Sequence, residues 1–496
     1  MNAAANSVRG RFLVTLKLGE MPGHIPGWRA CTRHGTAMAD RIDGGVIDRL
    51  LRHHGGALRA VRLHSARTPR SERAVAGSYR FDEIEQISGV ARVLRIQVRE
   101  AQGVPALLQA LAELPMIERV TANHLSYAPF ADERGADERA GHRPADRGKA
   151  VDPAWVRACT RIDEALRYEG GDPAVVIGLA DTGVSLAHIE LENRLRAGFD
   201  SVDLDPETVG GVTLVGDYRR AGERPQDEVG HGSGCAGIIA ARGKGMPPGA
   251  AGACGLTPVR VLGAALGPGD KRVGVGALDN IDAGMKRLID LGVKVINMSF
   301  GTPESMLDAD APRPHQEIVR YALARGVILV AASGNSGLTE KYYPAAHEGV
   351  IAVGAIERSL RPAGFSTRGD HVALCAPGRD ILTCGLDGYQ QASGTSFAAP
   401  HVAAICGLLA SRAQRRAWPL GSEDARRILI ASARPFAEAG VAGCGQGVLD
   451  ALGALRALDA EIDQGIRDED GVDEDGSNEH GSNRHSPTDV PPALAA

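Results

Sequence analysis

Four short runs of almost uninterrupted apolar residues constrain this chain more than anything else in its sequence: 174–180 (AVVIGLA), 257–262 (TPVRVL), 293–298 (VKVINM) and 327–332 (VILVAA). They are far too short to cross a membrane as helices, and their lack of alternation fits strands buried on both faces. Helical segments lie between them; in 277–290, Leu278, Ile281, Met285 and Leu288 fall on one stripe. Buried strands alternating with amphipathic helices predict an α/β unit with a mostly parallel sheet covered on both sides. Reactive groups are then expected where strands end.

The first part of the chain reads differently. Residues 11–17, 57–65, 92–99 and 117–123 alternate apolar with polar, as half-buried strands do. Val46, Leu50 and Leu51 mark one helix between them, and Leu107, Leu108, Leu111 and Leu114 mark another. The order β-α-β-β-α-β predicts a small ferredoxin-like α+β unit over residues 1–128, with 66–90 as an insertion. Residues 129–150 are charged and broken by Gly and Pro, which predicts an exposed linker. The second unit then spans 151–458. Residues 459–496 hold eleven acids against Arg467 and Arg484, and are expected to form an acidic, disordered tail.

Composition excludes several classes. With 43% apolar and 24% charged residues among 496, the chain is neither bulk-disordered nor collagenous. The net charge of −5 arises from the tail, so no strongly basic surface points to nucleic acid. The first 24 residues hold no apolar signal core and no run approaches a membrane span, so no membrane partner is expected and the cytoplasm is favoured over leaderless secretion. Eight cysteines without a CxxC pair predict buried reduced thiols rather than zinc or a disulfide framework.

Four polar motifs fall where such a sheet would place reactive groups. The run AVVIGLA ends in Asp181-Thr182-Gly183. GHGSGCAG (230–237) sets His231 between glycines at the start of a helix of small residues. AASGNSG (331–337) presents Asn335 where a strand stops. GTSFAAPHVAAICGLLA (394–410) puts Ser396 in the first turn of a long apolar helix that Thr395 caps, with Pro400 tolerated near the start. Singly, these read as a turn aspartate, a capping histidine, a turn asparagine and a second capping hydroxyl. Together, Asp, His and Ser in that chain order suit nucleophilic catalysis, because a serine at a helix start gains from the helix dipole and from its own N–H facing an oxyanion.

On these blocks, residues from about 153 to 455 resemble the catalytic domain of the subtilisin-like (subtilase) serine peptidases, with INMSFG (296–301) similar to the family's substrate-binding strand. Residues from about 10 to 128 resemble the family's inhibitor-type prodomain, which ends here in ERVTANHLSYAP. The resemblance implies a three-layer subtilisin-like fold preceded by a ferredoxin-like prodomain. It implies a serine endopeptidase with Asp181, His231 and Ser396 as catalytic residues and Asn335 with the Ser396 N–H as oxyanion donors. Substrate would lie along Ser299, Phe300 and Gly301, and the specificity pocket would involve Ala332, Ser333 and Gly334 with Tyr342 near its base. The expected partners are a protein or peptide substrate and the chain's own prodomain, released by cleavage between Tyr127 and Val151, and a monomer is expected.

The sequence departs from the family in three places. Gly234 and Ser233 replace a second histidine and a threonine beside His231, and Cys235 resembles the thiol-containing branch. The calcium loop after the His helix is replaced by RGKGMPPGAAG (242–252), which has no carboxylate. Asp200, Asp203 and Asp205 cluster but read as loop acids, so no metal or other cofactor is expected. Two competing readings are a catalytically silent binding protein on the same fold and a nucleotide enzyme built on GVGALD (274–279). The second fails because that segment lacks the third glycine and does not directly follow a strand.

Overall fold

The computed structural model describes residues 6–69, 79–131, 152–219 and 224–471. The predicted parallel sheet is present with seven strands, in the order Val372–Pro377, Val350–Ile356, Ile328–Ala332, Val295–Met298, Val176–Asp181, Gly255–Arg260, Phe199–Asp200. Every pairing in it is parallel. Successive residues of a strand serve opposite layers, as a pleat requires. Val295 and Val330 join the core under helices His231–Ala240 and Thr395–Arg415, whereas Ile296, Leu329 and Ala331 join the core under helix Leu278–Asp290. Both faces are therefore covered, which is why these strands carry no polar alternation.

The N-terminal unit has the predicted ferredoxin-like topology. Its strands Leu58–Arg62, Val93–Val98, Ser7–Leu16 and Ile117–Ala128 pair antiparallel in that spatial order. Leu51, Leu107 and Leu111 from the two predicted helices are buried against Phe12, Leu94 and Ile96. Strand Ile117–Ala128 also pairs antiparallel with Arg272–Ala277, so this sheet continues into the second unit. The GVG of GVGALD is thus interior strand, paired on its other side with Gly263–Leu266, and Gly274 lets it lie flush, since a Cβ there would come within 2.6 Å of Thr182.

Buried ion pairs join the two units. Lys286 reaches Glu85 and Asp290, each at 2.7 Å, and Asp279 meets Arg95 at 3.1 Å and Arg11 at 3.4 Å. Leu278 leaves its expected stripe and packs on Leu13, Leu63 and Val93 of the N-terminal unit. Two buried histidines lie along the same seam. Burial and the nearby Lys286 depress His64 to about 3; burial and the nearby His315 depress His124 to about 4. An unfolded histidine takes up its proton near 6.5, so between that pH and the folded values the unfolded chain binds more protons and stability falls with falling pH. The His124 shift alone corresponds to about 3 kcal/mol once pH has dropped through its folded value. The urea midpoint of the intact chain is accordingly expected to fall between about pH 7 and pH 5, and to fall less in a His64→Gln, His124→Gln double variant. Equal pH slopes would show that these rings do not titrate on unfolding.

The structure revises the expected domain limits. The disordered tail was expected from residue 459, but the last helix runs Ala451–Gly471, because Leu458 and Ile462 are buried and Asp459 takes Arg412 at 2.9 Å. Residues 472–496 lie outside the described residues. The exposed linker was expected from residue 129, yet Pro129 to Ala131 are engaged with the second unit through backbone hydrogen bonds; 132–150 lie outside the described residues. Among the described residues no helix is long and apolar enough to cross a membrane.

Candidate active site

Asp181 ends the central strand Val176–Asp181, and its buried Oδ1 accepts the His231 Nδ1–H at 2.7 Å and the Thr182 N–H at 2.7 Å. His231 opens helix His231–Ala240, whose N-terminus is held by a residue that motif reading overlooked. Asp227 accepts the N–H groups of Val229, Gly230 and Ser233, the Ser233 hydroxyl and the Thr182 hydroxyl. The only signal for it in the sequence is an acid four residues before the histidine. Gly234 is explained by Phe397, whose ring would lie 2.8 Å from a Cβ at that position.

Ser396 lies in the first turn of helix Thr395–Arg415, but the cap differs from expectation. Gly394 is the N-cap and Thr395 is the first helical residue; the Thr395 hydroxyl and N–H both donate to Asn335 Oδ1 at 2.9 Å. This pair of bonds fixes the amide so that Asn335 Nδ2 faces the cleft. Pro400 cannot donate to the Ser396 carbonyl one turn back. That carbonyl instead accepts from Ser299 Oγ at 3.0 Å and Cys235 Sγ at 3.2 Å, so the proline, Ser299 and the thiol form one arrangement. Burial pushes the Cys235 thiol well above its ordinary value, keeping it a neutral donor.

The Ser396 hydroxyl donates to the Ser299 carbonyl at 3.2 Å, and the buried His231 Nε2 has no hydrogen-bond partner among the described residues. Over this gap runs the end of the N-terminal unit. Tyr127 and Gly301 exchange both backbone hydrogen bonds at 3.0 Å, Asn335 Nδ2 donates to the Pro129 carbonyl at 3.3 Å, and the Ala131 N–H donates to the Ser393 carbonyl at 2.9 Å. Phe130 sets its ring edge-on to His231 at 5.5 Å and stacks on Phe397 at 5.7 Å. One extended segment thus runs from Gly301 past Asn335 and His231 to Ser393. Nothing in the sequence marked Pro129 or Phe130, because both sat at the edge of a stretch that looked solvated.

The remaining expected residues divide. Gly301 pairs with the segment and Ser299 is bonded to Ser396, whereas the buried Phe300 ring turns to His315 at 5.8 Å. Ala332 is buried, Ser333 Oγ donates to the Thr367 carbonyl at 3.1 Å, and the Gly334 N–H donates to Thr395 Oγ1 at 3.1 Å. The ring of Tyr342 fits between Gly301 and Gly334: a Cβ on Gly334 would lie 2.6 Å from it, and one on Gly301 3.2 Å.

The acidic cluster faces arginines. Asp200 meets Arg260 at 2.7 Å, Asp203 meets Arg95 at 3.5 Å and Asp205 meets Arg219 at 3.7 Å. The loop 242–252 receives a carboxylate from outside itself: Glu190 accepts the N–H groups of Gly243, Lys244 and Gly245 at 2.6–3.0 Å and the Tyr389 hydroxyl at 2.9 Å. Burial opposes ionisation of Glu190, and these donors overcome it and hold its carboxyl below the usual range.

A strand-end acid bonded to a histidine, beside a serine at a helix start on a doubly covered parallel sheet, defines the class of α/β serine hydrolases. Comparison with known proteins narrows this. The family model described as Peptidase_S8, the subtilase family, matches residues 172–481. The thermophilic serine proteinase of Bacillus sp. (strain AK1) is 32% identical over 321 residues, covering 64% of this chain and 69% of the relative. Thermitase of Thermoactinomyces vulgaris is 34% identical over 48% of this chain and 75% of the relative. The major intracellular serine protease of Bacillus subtilis (strain 168) is 33% identical over 48% and 68%. The chain belongs to the subtilase family and is a subtilisin-like serine endopeptidase acting on protein or peptide substrates.

Proposed function

We propose that Asp181, His231 and Ser396 are the catalytic residues and that residues 1–128 form a prodomain whose end is the enzyme's own first substrate. The bond cut is Pro129–Phe130. The observation that carries this reading is the Pro129 carbonyl on Asn335 Nδ2, with Tyr127 strand-paired to Gly301 on one side and Ala131 bonded to Ser393 on the other. Main-chain pairing of this kind grips an extended peptide with modest dependence on its side chains.

The chemistry then follows from the residues in place. Ser396 Oγ turns from the Ser299 carbonyl to His231 Nε2, gives up its proton there and attacks the Pro129 carbonyl carbon. Asp181 holds the proton on Nδ1 and stabilises the imidazolium that forms. The oxyanion accepts from Asn335 Nδ2. The bond to the Phe130 nitrogen breaks as His231 returns the proton to it, and water hydrolyses the Pro129 ester on Ser396. Intermolecular substrates follow the same course once the segment has left. Purified wild-type protein is expected to yield a chain beginning Phe130-Ala131-Asp132, while a Ser396→Ala variant stays whole. N-terminal sequencing decides this, and a wild-type start at any other residue would refute the assigned bond.

Tyr342 sets what precedes the cut. Its ring takes up the space between Gly301 and Gly334 where the specificity pocket was expected, and Pro129 is exposed rather than sunk into that space. Compact residues are therefore favoured directly before the cut. Tyr342→Gly is expected to raise kcat/KM for peptides with Phe or Leu there by about tenfold or more, with little change for Ala. A peptide series varied at that position measures it; an unchanged profile would put the pocket elsewhere.

A further inference from the structure

Three residues before Pro129, the buried Ser126 directs its hydroxyl into a polar recess on the peptidase side. Its Oγ lies 2.9 Å from Thr302 Oγ1 and 3.4 Å from His315 Nε2. Each partner is held elsewhere in a way that leaves one polar atom for Ser126. The Thr302 hydroxyl donates its hydrogen to the Leu125 carbonyl at 3.1 Å. His315 is held at Nδ1 by the buried Asp282 at 2.6 Å, which fixes the ring so that Nε2 is aimed at the Ser126 hydroxyl. Both Thr302 and His315 are buried, and the catalytic steps use neither. Phe300 packs edge-on to His315 at 5.8 Å.

We propose that Thr302 and His315 form a subsite that selects a serine or threonine at the fourth residue before the bond cut, in separate protein and peptide substrates as well as in the chain itself. The proposal rests on the reading that the segment ending at Pro129 lies in the cleft as a substrate does. A hydroxyl, with one hydrogen to donate and lone pairs to accept, can serve the Thr302 hydroxyl oxygen and His315 Nε2 together. An aliphatic side chain of the same size would bury both without a donor, and sites built around a substrate hydroxyl discriminate strongly against analogues that lack it. Threonine and valine are nearly isosteric, so comparing them isolates the hydrogen bond from the fit.

The test uses the enzyme as purified after its own processing and peptides identical except for Thr or Val at the fourth position before the cut. The expected result is a kcat/KM at least about tenfold higher for the Thr peptide, reduced to within about twofold in a Thr302→Val variant through slower turnover of the Thr peptide alone. Equal rates in the wild type, or an undiminished preference in Thr302→Val, would overturn the subsite and leave the catalytic assignment intact. Should Thr302→Val fail to fold, the full chain carries the same comparison: self-cleavage is expected to be about tenfold slower in Ser126→Val than in Ser126→Thr, and equal rates would overturn the proposal. If neither peptide is cut and fluorophosphonate labelling does not depend on Ser396, the catalytic reading fails and takes the subsite with it.

Discussion

Ser396→Ala is expected to lower kcat for peptide hydrolysis by about 10⁶ and to abolish labelling by a fluorophosphonate. The magnitude is that known for subtilisin, the family's namesake, in which losing the serine or the histidine costs about 2 × 10⁶ in kcat. Both effects follow from one atom, since Ser396 Oγ is the hydroxyl in the first turn of the helix that the proposed mechanism uses as the nucleophile. The substitution removes a hydroxyl that donates to the Ser299 carbonyl at 3.2 Å. That carbonyl still faces the cleft, and Ser299 Oγ still reaches the Ser396 carbonyl at 3.0 Å, so the fold is expected to persist and the melting temperature to change little. Labelling that survives in the variant would remove Ser396 as the nucleophile.

Asn335→Ala is expected to lower kcat by about 10²–10³ with a small change in KM, the range seen when subtilisin loses its side-chain oxyanion donor. The contact from Nδ2 to the Pro129 carbonyl is 3.3 Å, long for a hydrogen bond, so it contributes little to ground-state binding. It tightens as charge builds on the oxygen, and an interaction strengthened only there appears in kcat. Alanine also removes the acceptor for the Thr395 N–H and hydroxyl at the start of the serine helix. Asn335→Asp keeps that acceptor and loses the donor, so it is expected to show the same kcat deficit with less loss of thermal stability. A kcat near wild type in both variants would show that the oxyanion is held elsewhere.

How much was legible in advance depended on how local each signal is. Asp181, His231, Asn335 and Ser396 each sit in a short glycine-rich motif at a strand end or helix start, where a few neighbours set the backbone and the chemistry can be read from residue type. Asp227 carries no such motif, because its five bonds depend on how helix His231–Ala240 meets the strand-end turn. Thr395 looked like a cap because Ser and Thr usually cap helices, yet here Asn335, sixty residues earlier, claims its hydroxyl. The acids 200, 203 and 205 cluster in the sequence, but their pairing with Arg260, Arg95 and Arg219 depends on residues outside the cluster.

The sequence by itself determined what each segment could become. Apolar runs without alternation had to be buried on both faces, half-alternating runs could form a sheet with one strongly apolar face, and the Asp, His and Ser motifs had to lie where strands end or helices start. Only the tertiary structure decided where the N-terminal unit ends. Residues 129–131 have no apolar period of their own, and their position comes from backbone hydrogen bonds to Ser393 and from the Asn335 amide. Backbone groups are the same in every residue, so pairing between segments far apart in sequence leaves no mark in composition or periodicity. For the same reason Thr302 and His315 could be recognised as a subsite only after strand Ile117–Ala128 had been laid against them.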